Sequence, residues 1–119
     1  MPQINARLSH EIRKRFEQYA AEIGLDASEL ARLLIVRAMR RRWKPRAPIK
    51  TAKADPHTVQ WKLTAHFHRQ EEVDEFDSYA GIFGLRRATA ARLIFERELD
   101  ERWLAHALLW SPRKAKLLP

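Results

Sequence analysis

The first nine residues alternate in character. Ile4, Ala6 and Leu8 fall on one side of an extended chain and Gln3, Asn5 and Arg7 on the other, which predicts a strand with one face buried. At Ser9 the period lengthens. Ile12, Phe16, Tyr19/Ala20 and Ile23 recur at helical spacing, with Ser9 as N-cap, Glu11 in the first turn where the helix dipole favours an acid, and Gly24 as the glycine that ends the helix. Asp26 then caps a second helix that is expected to carry Leu30, Leu33, Leu34 and Ala38 inward and to run to about Trp43, where Pro45 and Pro48 stop it. Residues 44–60 are basic, broken by proline and short of large apolar side chains, and read as a linker.

The second half repeats the first. A shift of 60 residues aligns Glu11 with Glu71, Phe16 with Phe76, Tyr19–Ala20 with Tyr79–Ala80 and Gly24–Leu25 with Gly84–Leu85. It also aligns Ala31–Arg32–Leu33 with Ala91–Arg92–Leu93, Arg37 with Arg97, and Arg42–Trp43 with Arg102–Trp103. Twelve identities at one offset establish an internal repeat. The second strand, Trp61 to His68, leaves that register. At an offset of 60, Leu63, Ala65 and Phe67 would match the polar Gln3, Asn5 and Arg7 and face water. A one-residue slip exchanges the faces of a strand, so an extra residue is expected between Phe67 and its helix. Phe67 then matches Leu8, and Lys62, Thr64 and His66 become the outward counterparts of Gln3, Asn5 and Arg7.

A unit of one strand and two helices, about 40 residues long, cannot close a core by itself. Pairing the two strands antiparallel solves this, giving a mainly α fold with a two-stranded antiparallel β-ribbon over four helices. The expected organisation is a first copy over 1–43, the linker 44–60, a second copy over 61–110 and a basic tail 111–119, with both copies in one domain. Residues 104–110, an apolar run, are expected to extend the last helix and pack on the domain; otherwise they form a sticky surface for another chain.

Charge narrows the partner. Net charge is +8 and the surplus is uneven: residues 1–55 hold 13 Lys+Arg against 6 Asp+Glu, and residues 56–119 hold 10 against 9. Such a surplus favours a polyanion, although RNA and acidic membranes attract basic proteins too. The densest basic run, Arg37 to Lys53, either follows a phosphate backbone or keeps a linker extended. The absence of cysteine removes disulfides and thiolate zinc sites. With no signal-peptide pattern and no run near the roughly 18–20 apolar residues of a membrane span, the expectation is a cytoplasmic protein with no membrane partner.

The outward side chains of the ribbon carry the chemistry. Gln and Asn donate and accept in one plane, matching the edge of adenine, and Arg is the commonest bidentate reader of guanine. Any exposed strand shows polar residues, but together with the repeat the pattern suits a ribbon made to enter a major groove. Strand, helix, glycine turn and helix, met twice, resembles the ribbon-helix-helix (Arc/MetJ-type) family of DNA-binding proteins. The resemblance covers nearly all of 2–43 and 61–103. MPQINARLS is very similar to the strand of the family's phage repressors, and RLSHEI and GLDASELAR resemble its two junctions. Two copies in one chain resemble the fused members, which implies a tandem single-chain pseudo-dimer.

The resemblance implies base contacts by Gln3, Asn5 and Arg7, with Lys62, Thr64 and His66 as their counterparts. It also implies phosphate contacts at the start of the second helix of each copy, where free N–H groups and positive potential meet. Ser28 stands ahead of Asp26 and Ala27 there in the first copy, and Arg86, Arg87 and Thr89 beside Ala88 in the second. Because the two strands differ, the expected DNA site is asymmetric. The role it implies is a transcriptional repressor on double-stranded DNA, with several chains able to assemble on adjacent subsites. A relaxosome accessory protein or an antitoxin are the alternatives, and only 104–119 could serve the latter as a toxin-binding segment. His66 and His68 share a strand face but lack a third ligand, so no metal is expected and no cofactor. Glu71, Glu72, Asp74, Glu75 and Asp77 read as a solvated helix face. No catalytic arrangement is recognisable, and the chain is not expected to be an enzyme.

Overall fold

The computed structural model describes residues 2–45 and 60–109. Residues 46–59 of the expected linker, with Arg46, Lys50 and Lys53, lie outside the described residues, as do Trp110 and the tail 111–119, while Gln60, expected to end the linker, already belongs to the second strand. The elements in chain order are β1 (Gln3–Ser9), α1 (His10–Glu22), α2 (Ala27–Arg40), β2 (Gln60–His66), α3 (Gln70–Ile82), α4 (Arg87–Glu101) and α5 (Trp103–Leu109). The fold is mainly helical, with one two-stranded antiparallel sheet.

Local chemistry sets most boundaries. The Ser9 side chain accepts the Ile12 N–H at 3.2 Å and starts α1. Asp26 accepts the Glu29 N–H at 2.8 Å while the Glu29 carboxylate turns back to the Asp26 N–H, a reciprocal capping box for α2. Gly24 and Gly84 both have positive φ, +78° and +69°. There the Leu25 and Leu85 N–H groups reach back to the Ala20 and Ala80 carbonyls at 2.9 and 3.0 Å, closing each helix as a left-handed glycine permits. α2 ends sooner than the sequence suggested. Arg42 takes φ +49°, and the Trp43 N–H bonds the Ala38 carbonyl at 3.0 Å, so the same motif closes α2 with an arginine in the glycine position.

β1 and β2 pair with Gln3 opposite His66, Asn5 opposite Thr64 and Arg7 opposite Lys62. Ile4, Ala6, Leu8, Leu63, Ala65 and Phe67 are all buried beneath the ribbon. The one-residue slip is therefore present: Phe67 is followed by two residues before α3, whereas Leu8 is followed by Ser9 alone before α1. β1 lies against α4 and β2 against α2, so each strand is covered by the second helix of the other repeat. Phe16, Phe67, Phe76 and Phe95 are completely buried between these layers, and the Phe16 and Phe95 rings meet at 5.3 Å. Arg37 stacks on Trp103 and Arg97 on Trp43, at 4.4 and 4.6 Å, again joining one repeat to the other.

Leu33 departs from the expected core and is 43% exposed. At 100° per residue, the buried Leu30, Ala31, Leu34, Ile35 and Ala38 of α2 centre on a direction about 130° from Leu33. α4 buries more of its circumference, including Leu93 and the carboxylates Glu96 and Glu98.

The run after Glu101 does not extend α4. Arg102 takes φ +48° and the chain restarts as α5. Glu98, 1% exposed, holds the new direction. Its carboxylate accepts the Leu104 N–H at 2.7 Å, the Tyr19 hydroxyl at 2.6 Å and the Arg37 guanidinium at 2.6 Å. The Ala105 N–H donates to the Tyr19 hydroxyl oxygen at 2.9 Å. A buried carboxylate with this many partners fastens α5 to α1 and α2; without them its desolvation would cost several kcal/mol, on the order given for a buried ion.

Candidate nucleic-acid interface

The six outward side chains of the ribbon form one surface. Gln3, Arg7, Lys62 and His66 are exposed, and Asn5 and Thr64 between them are half-buried. None is acidic. Cross-strand pairing sorts them into three rows: Gln3 with His66, Asn5 with Thr64, and Arg7 with Lys62. In the last row two cations stand directly opposite, an arrangement that weakens a sheet. Among the described residues neither has an ion-pair partner. The row adds nothing to the stability of the sheet, whereas an anion lying over the ribbon would offset its repulsion.

The middle row is bonded to itself. The Thr64 hydroxyl donates to Asn5 Oδ1 at 2.7 Å. Beneath it, the Ser28 hydroxyl of α2 donates to the Thr64 backbone carbonyl at 2.5 Å. At the open end of the ribbon, Arg13 lies 4.4 Å over the half-buried Trp61 ring. None of these contacts is visible in the sequence. The alternation that turned Asn5 and Thr64 outward could have suggested the pair once the register was known; the Ser28 and Arg13 contacts leave no such trace.

The helix starts meet the expectations unevenly. Ser28 sits in the first turn of α2, but its proton is committed to Thr64, so in this conformation the hydroxyl cannot donate to phosphate. Asp26 and Glu29 are also there, and Asp26 is held below its ordinary value, chiefly by the Glu29 N–H it caps. The α4 start is different. Arg86 is exposed, and no side chain caps the helix. Thr89 is half-buried in the same turn. Arg87 turns back to α3, where its guanidinium grips both oxygens of Asp77 at 2.6 and 2.5 Å. That fork holds the Asp77 carboxyl below the ordinary carboxylate range and pushes Arg87 up. Of the helix-start groups, Arg86 and the N–H groups of α4 are therefore the ones left without a side-chain partner among the described residues.

His66 is the last residue of β2 and His68 lies beyond the strand, so the two do not share a strand face as expected; both are exposed, and among the described residues no three His, Cys, Asp or Glu side chains gather as a metal site would require. No helix among the described residues is long and apolar enough to cross a membrane. In comparisons with known proteins the chain matches no family model, no curated protein and no solved structure.

Proposed function

We propose that this chain is a tandem ribbon-helix-helix protein, a pseudo-dimer within one polypeptide, that binds double-stranded DNA by inserting its ribbon into the major groove. Its role is that of a transcriptional repressor occupying an operator. The observation that carries this reading is the outward ribbon face: six hydrogen-bonding side chains, no acid, and the Arg7–Lys62 row, two exposed cations without an ion-pair partner among the described residues.

The register supports the pseudo-dimer. Asn5 and Thr64 are counterparts in the repeat and also cross-strand partners, while Gln3 faces the counterpart of Arg7 and Arg7 faces the counterpart of Gln3. An approximate twofold axis through the Asn5–Thr64 row has this property. The exchanged Arg–Trp stacks and the matched left-handed Arg42 and Arg102 support the same axis. In this reading Gln3, Asn5, Arg7, Lys62, Thr64 and His66 face base edges, and Arg86 with the α4 N–H groups holds a phosphate. Thr89 lies beside that phosphate, whereas Ser28 and Arg87 would reach one only by exchanging their present partners.

The test is selection of bound duplexes from a random pool, followed by competition titration at two salt concentrations. A recovered motif that outcompetes random DNA at both is the expected result. Replacing Gln3, Asn5 and Arg7 together with Ala should abolish discrimination and leave the melting curve nearly unchanged, each good bidentate contact being worth about 1–3 kcal/mol. Sequence-blind binding that collapses with salt would reduce the interaction to phosphate attraction and sink the reading. Arg86→Ala should weaken binding equally on all sequences and lower the salt slope by about 1.

A further inference from the structure

The middle row of the ribbon does more than contribute two side chains to a groove. Asparagine reads adenine by using both ends of its amide, donating to N7 and accepting from the N6 amino group. In this ribbon the accepting end is turned across to β2, where the Thr64 hydroxyl holds Asn5 Oδ1 at 2.7 Å. Among the described residues no group binds the Asn5 amide nitrogen, which leaves both of its protons to donate. Thr64 has spent its own proton on Asn5 and retains only an accepting oxygen and a methyl group.

The threonine is itself held from below. The Phe67 N–H bonds the Pro2 carbonyl at 2.9 Å. Alternation along an antiparallel ladder then makes Asn5–Thr64 a non-hydrogen-bonded pair, whose side chains approach closely and whose backbone groups point to the ribbon edges. The Thr64 carbonyl, so directed, receives the Ser28 hydroxyl at 2.5 Å. Position 88, the counterpart of Ser28, is Ala88, so the other strand has no such clamp. The chain of contacts runs one way, from α2 through Ser28 and Thr64 to Asn5.

We infer that Thr64 is a positioning residue that converts Asn5 from an adenine reader into a donor-only reader, so that the centre of the DNA site selects guanine, whose N7 and O6 both accept. This rests on the proposed insertion of the ribbon into DNA and adds to it the identity of one base and the residue that sets it. The amide orientation is the whole of the effect. The opposite orientation would turn Oδ1 to the groove and select bases that present an amino donor.

The experiment is selection from a random duplex pool with the full chain in four forms: unaltered, Thr64→Val, Thr64→Ser and Asn5→Ala. Thermal melts of each show that it is folded. The unaltered chain should recover a motif with guanine at its centre, and Asn5→Ala should lose preference at that position alone. Thr64→Val keeps the shape but cannot hold Oδ1, and should swing the central preference from guanine towards adenine by roughly tenfold, the scale of one bidentate contact. Thr64→Ser restores the hydroxyl and should restore guanine. Adenine at the centre of the unaltered motif, or a central preference that Thr64→Val leaves unchanged, overturns this inference while leaving DNA reading by the ribbon intact. If the unaltered chain recovers no motif at all, it is the proposed function that fails.

Discussion

Tyr19 and Tyr79 occupy the same place in the two repeats and meet different surroundings. Both are buried. Tyr19 donates to Glu98 and accepts from the Ala105 N–H, whereas among the described residues Tyr79 Oη has no hydrogen-bond partner. Burial alone pushes the Tyr79 hydroxyl up to about 12. The cause lies in the opposite repeat in each case. Tyr19 is partnered by position 98, and the counterpart of position 98 is Ala38, whose side chain has no polar atom to offer. Identical residues therefore have different energetic roles because the packing crosses from one repeat to the other. Frame-making positions remain paired: the glycine turns, the left-handed arginines and the Arg–Trp stacks. The polar core sits on one side only, where α5 needs an anchor.

The strongest way to break this comparison is Glu98→Ala. It would strand the Arg37 charge, the Tyr19 hydroxyl and the Leu104 N–H together. The expected loss is about 3–5 kcal/mol, as for removal of one member of a buried charge pair, read by urea unfolding or as a melting point lowered by about 4–8 °C per kcal/mol. Ala38→Ser, at the counterpart position, should cost far less. Equal effects at 98 and 38 would mean that the Glu98 network does not distinguish the two sides.

Removing the hydroxyls compares the tyrosines directly. Tyr19→Phe leaves the Ala105 N–H without its acceptor and should cost about 1–3 kcal/mol, whereas Tyr79→Phe removes an unpaired buried group and should be neutral or stabilising. Equal losses in the two denaturation curves would show that Tyr79 finds a partner in solution.

Glu96 sharpens the comparison through pH, because its counterpart is Val36. Burial raises its carboxyl above the ordinary value of 4.5, against the pull of Arg92, and among the described residues one of its buried oxygens has no hydrogen-bond partner. A raised folded value means that the folded state binds the proton more tightly. Below 4.5 the group is protonated in both states and carries no penalty. As pH rises from there the unfolded chain ionises first, and stability falls until the folded value is passed. Glu96→Gln should lack this fall, so its advantage over the unaltered chain should widen from pH 4.5 upward and then level off in denaturation measured at a series of pH values. A constant difference across that range would remove Glu96 from the account.

The smallest expected effect lies on the ribbon. Lys62→Gln relieves the like-charge row with Arg7 and should raise stability by a few tenths of a kcal/mol while weakening the proposed DNA binding and its salt dependence. A loss of stability would mean that the row is not repulsive.

The ribbon face was legible in the sequence because a strand has a period of two: once Ile4, Ala6 and Leu8 are apolar, Gln3, Asn5 and Arg7 must face out. The slip in β2 was legible for the same reason, since Leu63, Ala65 and Phe67 cannot be left in water. What each outward residue can still donate was not legible. Thr64 spends its proton on a residue 59 positions away, Ser28 spends its own on a carbonyl 36 positions away, and Arg87 is taken up by Asp77. Of the groups named for phosphate, the structure leaves Arg86 the most available, a matter of competition among partners that no spacing encodes.

The division between sequence and tertiary structure follows range. Strands, caps and glycine turns depend on residues within a few positions of one another, and the repeat on matching one half of the chain to the other, so periodicity and side-chain chemistry determine them from the chain alone. The exposure of Leu33, the arginine that closes α2, the break at Arg102, the anchoring of α5 on Glu98 and the orientation of the Asn5 amide were decided only in three dimensions. Each depends on which surfaces the two repeats bring together. Tyr19 meets its partners 79 and 86 residues away, and over that separation a sequence specifies which groups exist while packing specifies which of them meet.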